Sequence, residues 1–113
     1  GLSQDCRLAV YKGDELVDNV PLDRERTTFG RCKDASVLLE HGSISRQHAE
    51  ITLEGGRVVL RDLHSGHGTF LDGRKMDKGG AMTLRPGDEV RFGASTRRYV
   101  FQGEDRGGKR ARY

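Results

Sequence analysis

The chain has 113 residues, a hydrophobic fraction of 34% and 16 glycines, which fits one globular domain with a single core and disfavours a largely disordered chain. The net charge is +3, of which +2 belongs to the segment 103–113, so the remainder of the chain is nearly neutral. A nearly neutral body disfavours a broad nucleic-acid-binding surface, and no stretch has the length of a membrane span or the pattern of a signal peptide.

The first half of the chain has the short apolar runs and the alternation of β-strands. In one of these runs Ala49, Ile51 and Leu53 alternate with Glu50 and Thr52, as in a strand with one buried face. The strand candidates in this half are 7–11, 15–22, 27–30, 36–39 and 48–53.

The second half continues the pattern, and its strand candidates are 57–63, 69–71, 74–76, 82–84, 89–92 and 98–102. Gly55-Gly56 and Asp72-Gly73 are typical of hairpin turns, and Arg85-Pro86-Gly87-Asp88 is typical of a β-turn. No window has a helical period with capping residues. The sequence therefore predicts an all-β fold, a sandwich of two sheets.

Three loop segments concentrate the residues that can bind an anion. They read Gly30-Arg31, Ser45-Arg46-Gln47-His48 and Ser65-Gly66-His67-Gly68-Thr69, and each lies where a predicted strand ends or begins. A phosphomonoester carries about two negative charges and has three acceptor oxygens, and the planar fork of Arg can bond two of these oxygens at once. The segments thus supply donors for holding a phosphate group.

The order GR, SxxH and SxxGT of these segments resembles the forkhead-associated (FHA) domain family, and the resemblance extends over residues 8–102. It implies an eleven-stranded β-sandwich whose loops at one end bind phosphothreonine peptides, with no cofactor. The phosphopeptide-binding positions that it implies are Arg31, Ser45, Arg46, Gly66 and His67. It further implies peripheral contacts from Ser43 and Ser65, and support of the site by Gly30 and His48, of which His48 pins the neighbouring loops.

Two positions depart from the commonest pattern of the family. His67 stands where most members have Asn, and Gly66 stands where many members have a hydroxyl residue. Neutral His, like Asn, offers one donor and one acceptor, but in a different geometry. We therefore expect the ligand class to be kept and the affinity to differ.

A further segment, Arg91-Phe92-Gly93-Ala94-Ser95-Thr96-Arg97, is similar to the branch of the family that includes the nuclear inhibitor of protein phosphatase 1 and kanadaptin. This similarity implies a nuclear adaptor, linked to pre-mRNA splicing, that recognises phosphothreonine followed by Pro.

The domain limits and the redox state follow from composition. Cys6 and Cys32 are too few for a disulfide framework, so we expect reduced thiols in an intracellular protein. We expect an N-terminal extension over 1–6, the FHA domain over 7–102 and a basic, disordered tail over 103–113. We expect a monomer.

The sequence also permits other functions to be weighed. Ser45, His48 and Asp62 are the residue types of a hydrolase triad, but no nucleophile elbow is present, so we do not expect an enzyme. The remaining His and Cys residues match no ordinary zinc spacing, so we expect no metal. RNA binding through the basic tail and a protein scaffold that needs no phosphate remain as alternatives.

Overall fold

The computed structural model describes residues 6–103, and within this range it contains eleven β-strands and no helix, so no helix there could cross a membrane. The prediction of an all-β fold with eleven strands is confirmed. The strands are β1 Arg7–Lys12, β2 Glu15–Pro21, β3 Arg26–Gly30, β4 Val37–Leu38, β5 Ala49–Glu54, β6 Arg57–Asp62, β7 Thr69–Leu71, β8 Arg74–Lys75, β9 Ala81–Thr83, β10 Glu89–Phe92 and β11 Arg98–Gln102.

The strands form two sheets that pack face to face. One sheet has six strands in the order β2-β1-β11-β10-β7-β8, and the other has five in the order β4-β3-β5-β6-β9. Strand β4 pairs in parallel with β3, while β3 pairs with β5 in antiparallel register. Strands β2 and β4 are therefore free edges, one in each sheet.

Aromatic side chains join the two sheets near the end of the sandwich where β3 and β10 finish. The rings of Phe29 and Phe92 stack with their centroids 5.1 Å apart, and Tyr99 meets both rings edge-on at 6.4 and 5.1 Å. Phe29 and Phe92 are fully buried, so they stabilise the fold directly beneath the loops that follow them. The loops consequently start from fixed points.

The hairpin turns have the backbone conformation that their residues predict. Gly55 and Gly56 have φ angles of 58° and 83°, and Asp72 and Gly73 have 50° and 83°. Two consecutive residues with positive φ match the twist of paired strands, which is why Gly and Asp are found here. The Asp72 carboxylate also accepts a hydrogen bond from the Glu89 N–H at 2.8 Å, which ties this hairpin to β10.

The two residues that flank the predicted FHA domain, Cys6 and Gly103, lie against each other in the structure. Cys6, assigned to the N-terminal extension, is buried in the core, and its carbonyl oxygen accepts a hydrogen bond from the Leu22 N–H at 3.0 Å. Gly103, assigned to the tail, lies against Cys6, where a Cβ on Gly103 would come within 2.9 Å of the sulfur. Cys6 and Cys32 are not joined in a disulfide. The rest of the predicted extension and tail, 1–5 and 104–113, lies outside the described residues.

Candidate functional site

The loop after β3 and the loop before β5 are joined by their backbones. The Arg31 N–H donates to the Ser45 carbonyl oxygen at 3.0 Å, and the Cys32 N–H donates to the Arg46 carbonyl oxygen at 3.2 Å. A Cβ at Gly30 would lie 2.0 Å from the Arg46 carbonyl oxygen, so a side chain at this position could not be accommodated. Gly30 is therefore what lets the two loops approach closely.

The Arg31 side chain is fixed by a hydrogen bond at Nε, and its Nη groups are free of bonds to the described residues. Its Nε donates a hydrogen bond to the Ile44 carbonyl oxygen at 2.6 Å, and its two Nη groups bond no residue within 6–103. Arg46, on the neighbouring loop, is exposed and forms no side-chain hydrogen bond or ion pair with the described residues. Two guanidinium groups are thus presented at one end of the sandwich without an internal anion to neutralise them.

Ser45 connects this pair of loops to the third predicted segment. Its hydroxyl oxygen accepts a hydrogen bond from the Gly66 N–H at 2.9 Å, and the hydroxyl donates to no other described residue. The hydroxyl hydrogen is therefore available to an incoming acceptor. A Cβ at Gly66 would lie 3.8 Å from this oxygen, an ordinary contact, so the space beside Gly66 is open.

His48 is fully buried and bonds both neighbouring loops with its ring. Its Nδ1 accepts from the Ser45 N–H at 3.0 Å, so the proton of the neutral ring is on Nε2, which donates to the Gly68 carbonyl oxygen at 2.8 Å. Burial lowers the pKa of His48, and the Gly68 hydrogen bond and the Asp62 charge oppose this only in part. The neutral tautomer is the one that can hold both loops.

Asp62 organises the interior of the third loop. Its Oδ1 accepts hydrogen bonds from the hydroxyls of Ser65 and Thr69 at 2.6 and 2.7 Å, and its Oδ2 accepts from the backbone N–H groups of Ser65 and Gly79 at 3.3 and 3.2 Å. Burial alone would raise the pKa of Asp62, but these hydrogen bonds outweigh it and the pKa lies below its usual value. The carboxylate is therefore a structural anion.

Sequence reasoning missed this role of Asp62, which it considered only as a residue type of a catalytic triad. One local signal was available: an Asp at the end of a strand, with Ser three residues later, is a common way to form a side-chain-capped turn. The bond from Thr69 could not be inferred in this way, because it depends on how the loop returns to β7.

Ser65, predicted as a peripheral ligand contact, lies inside the third loop. The side chain is fully buried. Its hydroxyl donates to Asp62 and accepts the Gly68 N–H at 3.1 Å, so both capacities are used inside the loop. Ser65 therefore fixes the shape of the loop from its buried side.

Ser43, predicted as a second peripheral contact, links the loop before β5 to the loop after β10. Its hydroxyl oxygen accepts the Ala94 N–H at 2.7 Å and lies 2.8 Å from His41 Nδ1. Since this nitrogen also accepts the Ser43 N–H at 3.1 Å, the Ser43 hydroxyl donates to it. The half-buried hydroxyl is thus engaged within the protein, and it holds the edge of the site in place.

The tip of the third loop carries His67, which is exposed and makes no side-chain hydrogen bond with the described residues. Next to it, Gly68 has a φ of 96° and its carbonyl oxygen also accepts the Gly93 N–H at 2.8 Å. The stem of Lys75 crosses Gly68 so closely that a Cβ there would lie 2.6 Å from its Cε. Lys75 is therefore a further cation beside the loop, and sequence reasoning did not identify it.

The candidate triad is not assembled. His48 faces the backbone N–H of Ser45 rather than its hydroxyl, and Asp62 bonds Ser65 and Thr69 rather than the His48 ring. Within residues 6–103 no three His, Cys, Asp or Glu side chains are grouped so that they could hold a metal ion. The site is instead a surface on which the free donors of Arg31, Ser45 and Arg46 lie at one end of the sandwich.

Comparison with known proteins identifies the family. Residues 27–93 match the family model for the FHA domain, a non-enzymatic phosphopeptide-binding module, which confirms the expectation that the chain is not an enzyme. The chain is 36% identical over 99 residues to the human nuclear inhibitor of protein phosphatase 1, covering 84% of this chain and 28% of that protein. It is 40% identical over 91 residues to human kanadaptin, covering 69% of this chain and 12% of that protein.

The fold comparison agrees with the sequence comparison. The N-terminal FHA domain of a Saccharomyces cerevisiae protein, solved in complex with a phosphothreonine peptide, matches with a TM-score of 0.74 and 26% identity, over 92% of this chain and 97% of that chain. The two curated relatives are several times longer than the matched region, so the likeness concerns this domain alone. The loop motifs, the eleven-stranded sandwich and the family match lead to one conclusion: the chain belongs to the FHA domain family.

Proposed function

We propose that this chain is a phosphothreonine-dependent peptide-binding module, and that Arg31, Ser45, Arg46, Gly66 and His67 form its binding surface. The observation that carries the proposal is the state of Arg31 and Ser45. Each is fixed by a hydrogen bond at one atom, to the Ile44 carbonyl or from the Gly66 N–H, and keeps its remaining donors free on the exposed side. Donors held in place lose little freedom when they bind a ligand.

The chemistry fits a phosphate dianion better than a carboxylate. The Nη fork of Arg31 can bond two phosphate oxygens, and the Ser45 hydroxyl can donate to the third. Arg46 adds a second positive charge, and no acidic side chain pairs with either guanidinium among the described residues. To the exposed ring of His67 we assign a contact with the main chain of the bound peptide, the role that Asn has in most members.

The finer specificity is also part of the proposal. The γ-methyl of phosphothreonine stiffens its side chain and can occupy a small space between the loops, where one buried methyl stabilises binding by about 0.8 kcal/mol over phosphoserine. The likeness to the nuclear inhibitor of protein phosphatase 1 supports a nuclear location. A preference for Pro after the phosphothreonine, a monomeric state and a link to pre-mRNA splicing belong to the same proposal.

Calorimetric titration tests the proposal directly. The titrants are a phosphothreonine-Pro peptide, its phosphoserine analogue and the unphosphorylated peptide, and the proteins are wild type, Arg31→Ala and Arg57→Ala. Arg57 is a matched control, because it is an exposed Arg at the end of the sandwich opposite to Ser45. We expect binding of the phosphothreonine peptide, weaker binding of the phosphoserine peptide, and loss of binding in Arg31→Ala alone.

Two results would contradict the proposal. Equal affinity for the phosphorylated and unphosphorylated peptides would indicate a scaffold that does not read phosphate. Full affinity in Arg31→Ala would show that the phosphate, if it is recognised, is bound elsewhere on the domain.

A further inference from the structure

A groove runs along one side of the sandwich, between the free edges of the two sheets. Its volume is about 410 Å³, and strands β2 and β4 form its two walls. The floor is apolar and includes Val10, Val20, Leu39, Ile44 and Phe92. The edges carry charges of both signs, from Lys12 and Arg97 on the one hand and Asp18 and Glu40 on the other.

The phenol of Tyr99 is a polar group in this apolar floor. The Tyr99 residue is 96% buried, its exposed fraction being 4%, and its hydroxyl makes no hydrogen bond with any residue in 6–103. Burial raises the pKa of Tyr99, opposed by the nearby Arg97 charge and assisted by Asp18, so the group is a neutral hydroxyl. Because no buried side-chain polar atom within residues 6–103 lacks a hydrogen bond, this hydroxyl oxygen reaches the surface of the groove, where it can donate to an acceptor on a ligand.

Exposed apolar side chains are concentrated on the two strands beside the groove. Among the described residues the exposed large hydrophobics are Leu16, Val17, Leu38 and Met82, and the first three lie on β2 and β4. Leu38, 47% exposed, lines the groove itself. Exposed apolar residues grouped along unpaired strand edges are typical of surfaces that bind another chain.

The groove and the proposed phosphate site share the loop before β5. Ile44 lies in its floor, while the carbonyl oxygen of the same residue fixes Arg31 and the next residue is Ser45. His41 also lines the groove, and through Ser43 it is bonded to the loop that contributes Ser95 to the groove wall. A peptide that leaves the phosphate site across the 41–44 loop would therefore enter the groove directly.

We infer that this groove is a second binding site, occupied by an extended segment of the same phosphoprotein whose phosphothreonine binds at Arg31 and Ser45. An apolar side chain of that segment packs on Leu38 and Ile44, and a backbone carbonyl accepts the Tyr99 hydroxyl. The inference rests on the proposed function. It follows from the continuity of the two sites and from the free strand edges, since an extended chain can pair with an edge strand while its alternate side chains enter the groove.

A charged or lipid ligand fits the groove less well. The edges combine two cations with two anions, so they give no net attraction to a polyanion or an anionic surface. An extended chain advances about 3.3 Å per residue, so a few residues suffice to join the phosphothreonine to the groove. The linkage makes the second contact intramolecular, and even a weak groove interaction then increases the total affinity.

The test is a selection followed by titration. A display library holds a phosphothreonine core constant and randomises about ten residues on each side of it, long enough to reach the groove from either direction. The selected long peptides and the short core peptide are then titrated against wild type, Tyr99→Phe, Leu38→Lys and Met82→Lys. Tyr99→Phe removes one oxygen, Leu38→Lys changes an exposed side chain, and Met82→Lys is the matched control on the opposite edge of the sandwich.

We expect selected long peptides to bind at least about tenfold more tightly than the core. Leu38→Lys removes this gain and Tyr99→Phe reduces it about fivefold, while Met82→Lys keeps it. All three variants bind the core peptide like wild type. If the core peptide itself fails to bind, the proposed function is wrong. If the core binds but no flanking sequence adds affinity, or the gain survives Leu38→Lys, this inference alone is overturned.

A further outcome identifies a different occupant. A wild-type chain that dimerises in sedimentation experiments, and becomes monomeric as Leu38→Lys, would place a second copy of the chain in the groove and overturn the inference.

Discussion

Two polar regions meet at the same end of the sandwich and differ in burial and in hydrogen bonding. The inner network, Asp62, Ser65, Thr69 and His48, is fully buried, and within residues 6–103 no buried side-chain polar atom lacks a hydrogen bond. The outer rim, Arg31, Ser45, Arg46 and His67, keeps donors that bond nothing in the described part of the chain. The hydrogen bonds of the inner network are all made without a ligand, whereas the outer rim has donors that remain available to a ligand.

The difference indicates two separate roles: the inner network holds the loops in place, and the outer rim contacts the ligand. The inner network fixes the backbone of the third loop through Asp62 and fixes both neighbouring loops through His48. The rim can then present its donors without rearrangement on binding. Changes in the inner network should therefore lower the free energy of unfolding, whereas changes in the rim should alter affinity and leave that free energy nearly unchanged.

Asp62→Ala should have the largest effect. It leaves the hydroxyls of Ser65 and Thr69 and the N–H of Gly79 without their acceptor in a buried place, and we expect a loss of about 3 kcal/mol in the free energy of unfolding. Urea denaturation measures this, and Asp77→Ala is the control, because Asp77 is an exposed Asp on the following loop. A loss below about 1 kcal/mol would contradict the structural role of the carboxylate.

The stabilising effect of Asp62 should also depend on pH. Its pKa is lowered in the folded protein, so protons bind preferentially to the unfolded chain. The contribution is complete above the unfolded value, about 3.9, and is lost as the pH falls through the lower folded value. The difference in stability between wild type and Asp62→Ala should accordingly narrow in acid, which denaturation at neutral and strongly acidic pH would show.

Two glycines test the difference between the inner part of the site and its rim. Gly30 lies where two loops approach each other closely, and Gly66 lies on the rim. A Cβ at Gly30 meets the backbone oxygen of Arg46 at 2.0 Å, whereas at Gly66 the nearest atom is the Ser45 hydroxyl oxygen at 3.8 Å. We expect Gly30→Ala to cost about 2–3 kcal/mol in folding free energy and Gly66→Ala to cost less than about 0.5 kcal/mol. Thermal unfolding of the two variants tests this. An equal loss of folding free energy in both would show that the loop of Gly30 and the loop of Arg46 are not held close together.

The fold was predictable to a greater extent than the site. Alternation such as that of Ala49, Ile51 and Leu53 depends only on neighbours in the chain, and the positive φ angles of Asp72 and Gly73 are set by the residues themselves. The rim residues were named from the motifs. The burial of Ser65 was not predicted, because its partner Asp62 is selected by the path of the loop through the interior.

The hydrogen bonds between loops that are distant in the sequence were also not predictable. The contact between the Ser43 hydroxyl and the Ala94 N–H joins residues 51 positions apart, and the contact from Arg31 to the Ile44 carbonyl depends on the packing of two loops. No local pattern encodes such a distance. The lateral groove was missed for the same reason, since β2 and β4 become neighbours only when the two sheets pack.

His48 provides a pH-dependent test of the inner network. Its folded pKa is lowered by burial, so its contribution to stability is complete above the unfolded value of about 6.5 and falls as the pH is lowered towards the folded value. We expect wild type to lose stability between pH about 7.5 and 5, and His48→Gln to be about 1–2 kcal/mol less stable at the upper pH with a flatter profile. Urea denaturation at both pH values measures this.

The matched control for His48 is His67→Gln. His67 is exposed and belongs to the rim, so this variant should keep the pH slope of wild type while its peptide affinity changes. A flat profile in His67→Gln, with the slope retained in His48→Gln, would reverse the assignment of the two histidines to the inner network and the rim.

Gly66→Ser is the smallest change and the most direct probe of the rim. The position has room for a side chain, and a hydroxyl there would add one donor beside the free hydrogen of Ser45. Because the donor faces the proposed phosphate, we expect up to about fivefold tighter binding of the phosphothreonine peptide, with no change for the unphosphorylated one. Calorimetry measures this against Gly42→Ser, a control at an exposed glycine of the neighbouring loop whose Cβ would meet nothing within 4 Å. Weaker binding in Gly66→Ser would mean that the new hydroxyl bonds Ser45 instead, which would identify the Ser45 hydroxyl as a donor that the ligand needs.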